Sequence, residues 1–389
     1  MKKKIIDVID EARAELLGLS LRIHGEPELG FSEFKAAAWI VEFLRKYGFE
    51  VEEGIVGLPT AFRGERSFGD GGPVVAFIAE YDALPEIGHA CGHNLIAMMS
   101  VGAALGLAAV MEDAGLSGTV LLLGSPAEEG AGGKINMLEG GAFDDVEYSL
   151  MIHPSNENLV NRTSTACGHY HVTFTGLSAH SSNPQNGINA LTALIQTFNN
   201  IDRLKPLMPM TANINGIITK GGTASNIITD EAVGEFTIRS GTLRELSVTC
   251  AYVDRAIKAA EVLTGARAVI DREPSYAEMY ANRGINAALS ANMAELGVVM
   301  NEASNDGKYG SSDIGNVSMK MPSIHSYLDI GANAPAHHVD FTAASASDKA
   351  HDVAVLGAKG LAMTGFDIMS DSALRQRINK EFGDTVPIL

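Results

Sequence analysis

The sequence predicts an α/β protein: a central sheet with helices on both faces, interrupted by a βαββαβ insertion. Three observations predict it. Short continuous apolar runs alternate with helical patterns early in the chain. From about Gly168 the strand patterns instead alternate polar and apolar residues, and after Pro274 the first pattern returns. At 389 residues the chain also exceeds what one hydrophobic core usually serves. Two domains are therefore expected: residues 1–166 with 275–389 as a discontinuous domain, and 167–274 as the inserted one.

In chain order, Ile5 to Ile23 reads as an amphipathic helix. Ser32 is a candidate cap for a second helix, Glu33 to Tyr47, which Gly48 ends. Val74 to Ala79 is a short apolar run, as expected of a buried central strand. Asn94 to Ala114 reads as a long helix of small residues, and Thr119 to Leu123 and Tyr148 to Ile152 as further buried strands. Strands separated by helices imply a sheet covered on both faces. The insertion then reads as strand His171–Thr175, helix Ile188–Leu204, strands Ala212–Thr219 and Ala232–Arg239, helix Leu243–Leu263 and strand Ala266–Ile270. That order is βαββαβ, a four-stranded antiparallel sheet with two helices on one side. Ile285 to Leu296 then reads as a helix and Ser323 to Leu328 as a strand.

Composition excludes some classes. A net charge of -18 argues against a nucleic-acid surface and against anionic membranes. The basic N-terminus lacks the long apolar run of a signal peptide. The apolar stretches Ala97–Val110 and Val120–Leu123 read as too short, or too interrupted by glycine, to span a bilayer. Three cysteines, Cys91, Cys167 and Cys250, are an odd and sparse set that fits a reducing cytoplasm better than a disulfide framework.

Two stretches carry the chemistry: Glu80-Tyr81-Asp82-Ala83-Leu84-Pro85 and His89-Ala90-Cys91-Gly92-His93-Asn94. They set a thiol and an imidazole two residues apart, with a carboxylate upstream. Pro126-Ala127-Glu128-Glu129-Gly130 adds adjacent carboxylates at the end of the next strand. Mixed soft and hard donors suit a divalent metal of the zinc type, and a spare carboxylate suits activation of water. The helix that begins near Cys91 is expected to lower its thiol pKa and favour thiolate. Adjacent Glu128 and Glu129 are not expected to face one point, so one would coordinate metal and the other accept a proton. The Gly-rich continuation Gly130–Gly133 brings backbone close to a neighbour, and it does not match a phosphate loop. His153 ends a strand, and His337 and His338 lie in a late loop. His180 belongs to the inserted domain.

With these residues the chain resembles the dinuclear metallopeptidases related to aminoacylase and glutamate carboxypeptidase. It is most similar to their β-alanyl-lysine dipeptidase and p-aminobenzoyl-glutamate hydrolase branch. Further matching stretches are Gly25 to Phe31 and Gly221-Gly222-Thr223-Ala224-Ser225-Asn226. The common Cys-Gly-His-Asp-Gly-His box is altered, with Asn94-Leu95-Ile96 in its last three positions. The resemblance implies a catalytic domain with a mixed central sheet flanked by helices, and an inserted ferredoxin-like lid and dimerisation domain.

The resemblance also implies two divalent metals held by Cys91, His93, Glu129, His153 and His337. His337 is chosen for its spacing from Phe341, with His338 as the alternative. It implies Glu128 as general base, Asp82 as the acid that orients a metal-binding histidine, and His180, Asn226 and Arg239 as substrate-binding residues. Zinc is favoured by the mixed donors, with manganese as the alternative. The expected activity is metal-dependent hydrolysis of a dipeptide or N-acyl amino acid with a free carboxylate, by metal-hydroxide attack, in a cytoplasmic homodimer. One rival is a catalytically silent paralogue that keeps the fold for binding or assembly. Another is a thiol hydrolase with Cys91 as nucleophile and His93 as base.

Overall fold

A computed structural model describes residues 1–304 and 310–387. The chain divides into two compact units. The first comprises Met1–Thr163 and most of the chain from Met279 onward; the second is Ser164–Glu278 with a short segment ending at Ser311.

The first unit is built on an eight-stranded sheet among the described residues. Its order is Glu50–Glu53, Phe62–Phe68, Gly118–Ser125, Val74–Glu80, Tyr148–Ser155, Ser323–Asp329, Leu159–Val160 and Asn301–Glu302. The central strands Gly118–Ser125, Val74–Glu80, Tyr148–Ser155 and Ser323–Asp329 run parallel, while Glu50–Glu53 and Phe62–Phe68 pair antiparallel at one edge. The sheet is therefore mixed. The central strands are mostly buried and carry apolar runs, such as residues 75–79 and 120–123, because both faces are covered.

Helix His93–Met111 runs through the core, and Ala109 alone of its residues is not fully buried. It packs on helix Asp348–Ser370. A Cβ on Gly102 would come within 2.9 Å of Ala358 Cβ, so glycine permits the close approach. Both helices are long and apolar enough to cross a membrane, contrary to the reading of the apolar runs alone, and both are mostly buried inside the protein.

Two local expectations are corrected. The N-terminal helix is two helices, Lys2–Glu11 and Arg13–Gly25. They meet at Ala12, whose ψ of -4° tightens the turn, so that Glu15 N–H bonds to the Ala12 carbonyl three residues back. Ser32 does not cap the next helix, which is Phe34–Lys46. Glu28 does that work from outside: its Oε2 accepts the Lys35 and Ala36 N–H groups at 2.8 and 3.1 Å.

The second unit is a four-stranded antiparallel sheet in the order Arg267–Arg272, Ala166–Thr175, Glu231–Ser240, Asn213–Lys220. Helices Ala190–Leu204 and Leu243–Thr264 share its core through Leu194, Ile201, Val253 and Ile257 against Val172, Phe174 and Phe236. Asn189 caps the first helix by accepting Thr192 N–H, and Thr242 caps the second by accepting Glu245 N–H. Gly265, at φ 78°, ends it. The edge strand Asn213–Lys220 leaves Ile217 and Ile218 exposed.

Candidate metal centre

The parallel strands deliver their side chains to one sheet edge. Val74–Glu80 ends at Glu80, and Tyr81 and Asp82 follow directly. Its parallel neighbour Gly118–Ser125 runs out into Pro126, Ala127, Glu128 and Glu129. Strand Tyr148–Ser155 carries His153 near its end. Carboxyl ends of parallel strands are where open α/β sheets place their sites. Gly92, at φ 74°, turns the chain from Cys91 into helix His93–Met111. A Cβ there would sit 3.0 Å from Pro154, so the turn needs glycine. His337 arrives from a late loop at φ 68°, its N–H bonded to the Ala90 carbonyl at 2.9 Å.

These residues converge. Donor atoms of Cys91, His93 and His153 lie within 4.8 Å of one another, and so do those of Cys91, Glu129 and His337. His93, Glu128 and Glu129 form a third such set. Glu128 and Glu129 thus both reach the His93 imidazole, which corrects the expectation that adjacent carboxylates face apart. The left-handed turn at Ala127, φ 55°, precedes the pair. His337 rather than His338 enters the cluster: its Nε2 is 3.4 Å from Glu129 Oε2. His338 is spent as a helix cap, its Nδ1 accepting Asp340 N–H at 3.1 Å.

Hydrogen bonds fix which nitrogens face inward. His93 Nδ1 lies 2.9 Å from both the Asp82 carbonyl and Asp82 Oδ1, so it donates there and leaves Nε2 as the free donor atom. His153 Nδ1 donates to the Pro154 carbonyl at 2.6 Å and likewise leaves Nε2. Asp82 Oδ2 accepts the Glu129 N–H at 3.0 Å.

The donor set fits divalent metal. His93 Nε2 and Glu129 Oε1 are buried without a hydrogen-bond partner, and they lie 3.8 Å apart. Buried polar atoms are rarely left so. Donor separations up to 4.8 Å compare with about 4–4.6 Å for two ligand bonds of roughly 2.0–2.3 Å to one ion. Thiol, imidazole and carboxylate together suit a zinc-type ion.

The charges are set by burial and by each other. Burial raises the Cys91 thiol well above its ordinary value, with Glu129 adding to the rise and His93 opposing it. The expected helix-driven thiolate is therefore corrected: desolvation outweighs the helix terminus. Burial works against charge on His93, but Asp82 and Glu80 carry its pKa well up. Burial, then Glu80, Asp313 and Glu129, push Glu128 well above the carboxylate range.

Two residues of this region, Lys134 and Asp313, escaped the sequence reading. Lys134 is fully buried, its Nζ 2.5 Å from Glu80 Oε1 and 2.6 Å from Asp313 Oδ1. Glu80, Glu128 and Asp313 offer oxygens within 4.8 Å of one another. A lysine directly after a glycine-rich turn was the available signal. What Gly133 approaches is the Pro126 carbonyl, which a Cβ would meet at 1.7 Å, so the close approach is internal to the turn.

His180, Asn226 and Arg239 lie in the second unit. His180 and Asn226 are exposed neighbours: Ser181 N–H bonds to the Asn226 carbonyl at 2.9 Å, and His180 bridges to Ile227. His180 Nδ1 is 2.7 Å from Ser182 Oγ. Arg239, on strand Glu231–Ser240, donates to Ser311 Oγ at 2.8 Å.

The chain is similar to known proteins in sequence and in fold. The model of Peptidase family M20/M25/M40 matches residues 76–356, a span that holds all six residues of the cluster. The mouse Xaa-Arg dipeptidase is 36% identical over 98% of this chain and 92% of its own length. A p-aminobenzoyl-glutamate hydrolase polypeptide of Escherichia coli K12 is 27% identical over 97% of this chain and 94% of its own length. Among solved structures, a dinuclear metal-binding M20 peptidase from Bacillus subtilis superposes with TM-score 0.69 at 22% identity, covering 93% of this chain and 99% of its own.

Proposed function

Since this chain belongs to Peptidase family M20/M25/M40, we propose that it hydrolyses the amide bond of a dipeptide or N-acyl amino acid bearing a free carboxylate. One observation carries the reading. Cys91, His93, Glu128, Glu129, His153 and His337 converge, with His93 Nε2 and Glu129 Oε1 buried and unpartnered. The names of the relatives, dipeptidase, carboxypeptidase and N-acetyl-L-cysteine deacetylase, support the substrate class.

Cys91, His93, Glu129, His153 and His337 would hold two divalent ions, zinc in preference to manganese. When bound, such ions polarise a scissile carbonyl and make an attacking water more acidic. Glu128 accepts the proton of that water at its carboxylate and returns it to the leaving amine. Burial and the neighbouring carboxylates raise its pKa, which makes its carboxylate a better proton acceptor. Asp82 holds His93 in the tautomer that presents Nε2. His180 is assigned to the developing oxyanion, and Asn226 and Arg239 to the substrate carboxylate; the adjacency of His180 and Asn226 supports grouping those two.

The working unit is a cytoplasmic homodimer in this reading, with the second unit as lid and dimerisation domain. The exposed edge strand Asn213–Lys220, which needs covering, supports the pairing, and the sparse cysteines support the compartment. Cys91 as nucleophile is disfavoured, because burial raises its thiol pKa in the absence of metal, and a sulfur that holds metal is not available to attack a substrate.

The test pairs metal analysis with turnover. Purified protein should hold close to two equivalents of divalent metal. It should cleave at least one of an Xaa-Arg dipeptide, β-alanyl-lysine, aminobenzoyl-glutamate and an N-acetyl amino acid. The C-terminal amide of the best substrate should be cleaved far more slowly than the free acid. Full activity with one equivalent would sink the two-metal reading, and equal rates on acid and amide would sink the carboxylate requirement.

A further inference from the structure

Behind the Glu128–Glu129 turn lies a lysine with no contact with water. Lys134 opens helix Gly133–Glu139, and its side chain is fully buried. Its Nζ is 2.5 Å from Glu80 Oε1 and 2.6 Å from Asp313 Oδ1, while its own N–H donates to Asp313 Oδ2 at 2.9 Å. Glu80 has its other oxygen 3.5 Å from His93 Nε2. Asp313 comes from a segment 179 residues away in sequence.

The surroundings are dominated by negative charge. Glu80, Asp313 and Glu128 crowd their oxygens within 4.8 Å of each other, and Glu129 is next to Glu128 in the chain. Carboxylates brought so close in a dry interior repel one another unless a cation lies among them. Lys134 supplies one covalently. Burial opposes its charge, but Asp313, Glu80 and Glu128 raise its pKa, so the ammonium form persists.

We propose that Lys134 is a positioning residue, a built-in cation that pins the Glu128–Gly133 turn to Glu80 and Asp313 and so aims Glu128 and Glu129 at His93. The proposal rests on the hydrolase reading above for its kinetic consequence. Lys134 itself touches no substrate, since it is wholly enclosed. Its loss would let the turn shift, and a displacement on the order of 1 Å in a catalytic group costs about 10²-fold in rate.

Three proteins test it: wild type, Lys134→Met, and the charge-compensated Lys134→Met/Asp313→Asn. Both variants should lose about 10²-fold in kcat with KM changed only a few-fold. Calorimetric titration of the metal-free proteins with manganese should show binding at least about 10-fold weaker in both variants, the range for residues that support ligands. The double variant removes one cation with one anion and should fold where the single one does not. Either folded variant with wild-type metal affinity overturns the proposal, as does wild-type kcat in either. The titration needs no substrate. Wild type that bound two metals yet cleaved nothing would therefore count against the hydrolase reading alone, while the titration still decided the role of Lys134.

Discussion

Oδ1 of Asp82 lies 2.9 Å from Nδ1 of His93. The other oxygen of the same carboxylate accepts the backbone N–H of Glu129 at 3.0 Å. One side chain thereby sets the imidazole of one proposed ligand and the chain position of another.

Asp82→Asn should therefore weaken metal binding without emptying the fold. Partners of metal-binding histidines typically contribute 10–100-fold in affinity, and a loss of that order is expected in calorimetric titration of the metal-free variant. Wild-type affinity would remove Asp82 from the centre.

Glu128 and Glu129 should separate cleanly. Glu128→Gln is expected to keep both metals and lose ~10²–10⁴ in kcat or more, as for loss of a general base. Glu129→Gln should instead lower metal content on elemental analysis. Near-normal turnover in Glu128→Gln would pass the proton transfer to another group.

The dimer proposal is tested by mixing two inactive proteins, His180→Ala and Glu128→Gln. If one protomer supplies His180 to its partner, each mixed dimer contains one site with both native groups and one with neither. Activity should return to about half that of a wild-type dimer, by counting sites under two-fold symmetry. Verified subunit exchange with no recovery would show that His180 serves its own chain or has no role.

Glu33 links stability to pH. It is fully enclosed, its oxygens accepting the Ala127 N–H at 2.8 Å and the Thr60 hydroxyl at 2.9 Å. Burial, with Asp82 adding, raises its pKa from 4.5 to about 7, although the hydrogen bonds oppose the rise. A carboxyl that binds its proton more tightly when folded makes the fold less stable as pH climbs through that interval. The loss is about 3.5 kcal/mol at most, from roughly 1.4 kcal/mol per pH unit. Glu33→Gln should thus gain stability relative to wild type at pH 8 but not at pH 4.5, in urea midpoints. An equal difference at both pH values would contradict this.

The apolar runs of the central strands and the period of the helices were legible because burial on both faces leaves no room for polar residues. The edge strands Glu50–Glu53 and Phe62–Phe68 were not read, since half-exposed strands carrying Glu, Arg and Ser resemble loops. Glu128, Glu129 and His153 could be singled out because metal-binding types fall at strand ends, Cys91 and His93 because a thiol and an imidazole stand two residues apart, and His337 through the family resemblance. Lys134 and Asp313 were not: the lysine after a glycine-rich turn is a faint signal, and its role emerges only when the fold joins it to Asp313 across 179 residues. The Cys91 thiol was misjudged for a related reason: a helix terminus is visible in sequence, but the depth of its burial is not.

Strand Ser323–Asp329 lies beside Tyr148–Ser155 in the sheet, yet the whole second unit separates them along the chain. A ribosome adding about 5–20 residues per second needs roughly 10–30 s to make the intervening stretch. Throughout that interval the nascent sheet ends at Tyr148–Ser155, with one edge of that strand unpaired and the last proposed donor, His337, not yet made. The second unit, whose four strands all lie within residues 166–272, can close its own sheet meanwhile. If His337 is a ligand, the full metal centre is thus completed only after the chain has passed it, and the open strand edge is where a holding chaperone would be needed during synthesis.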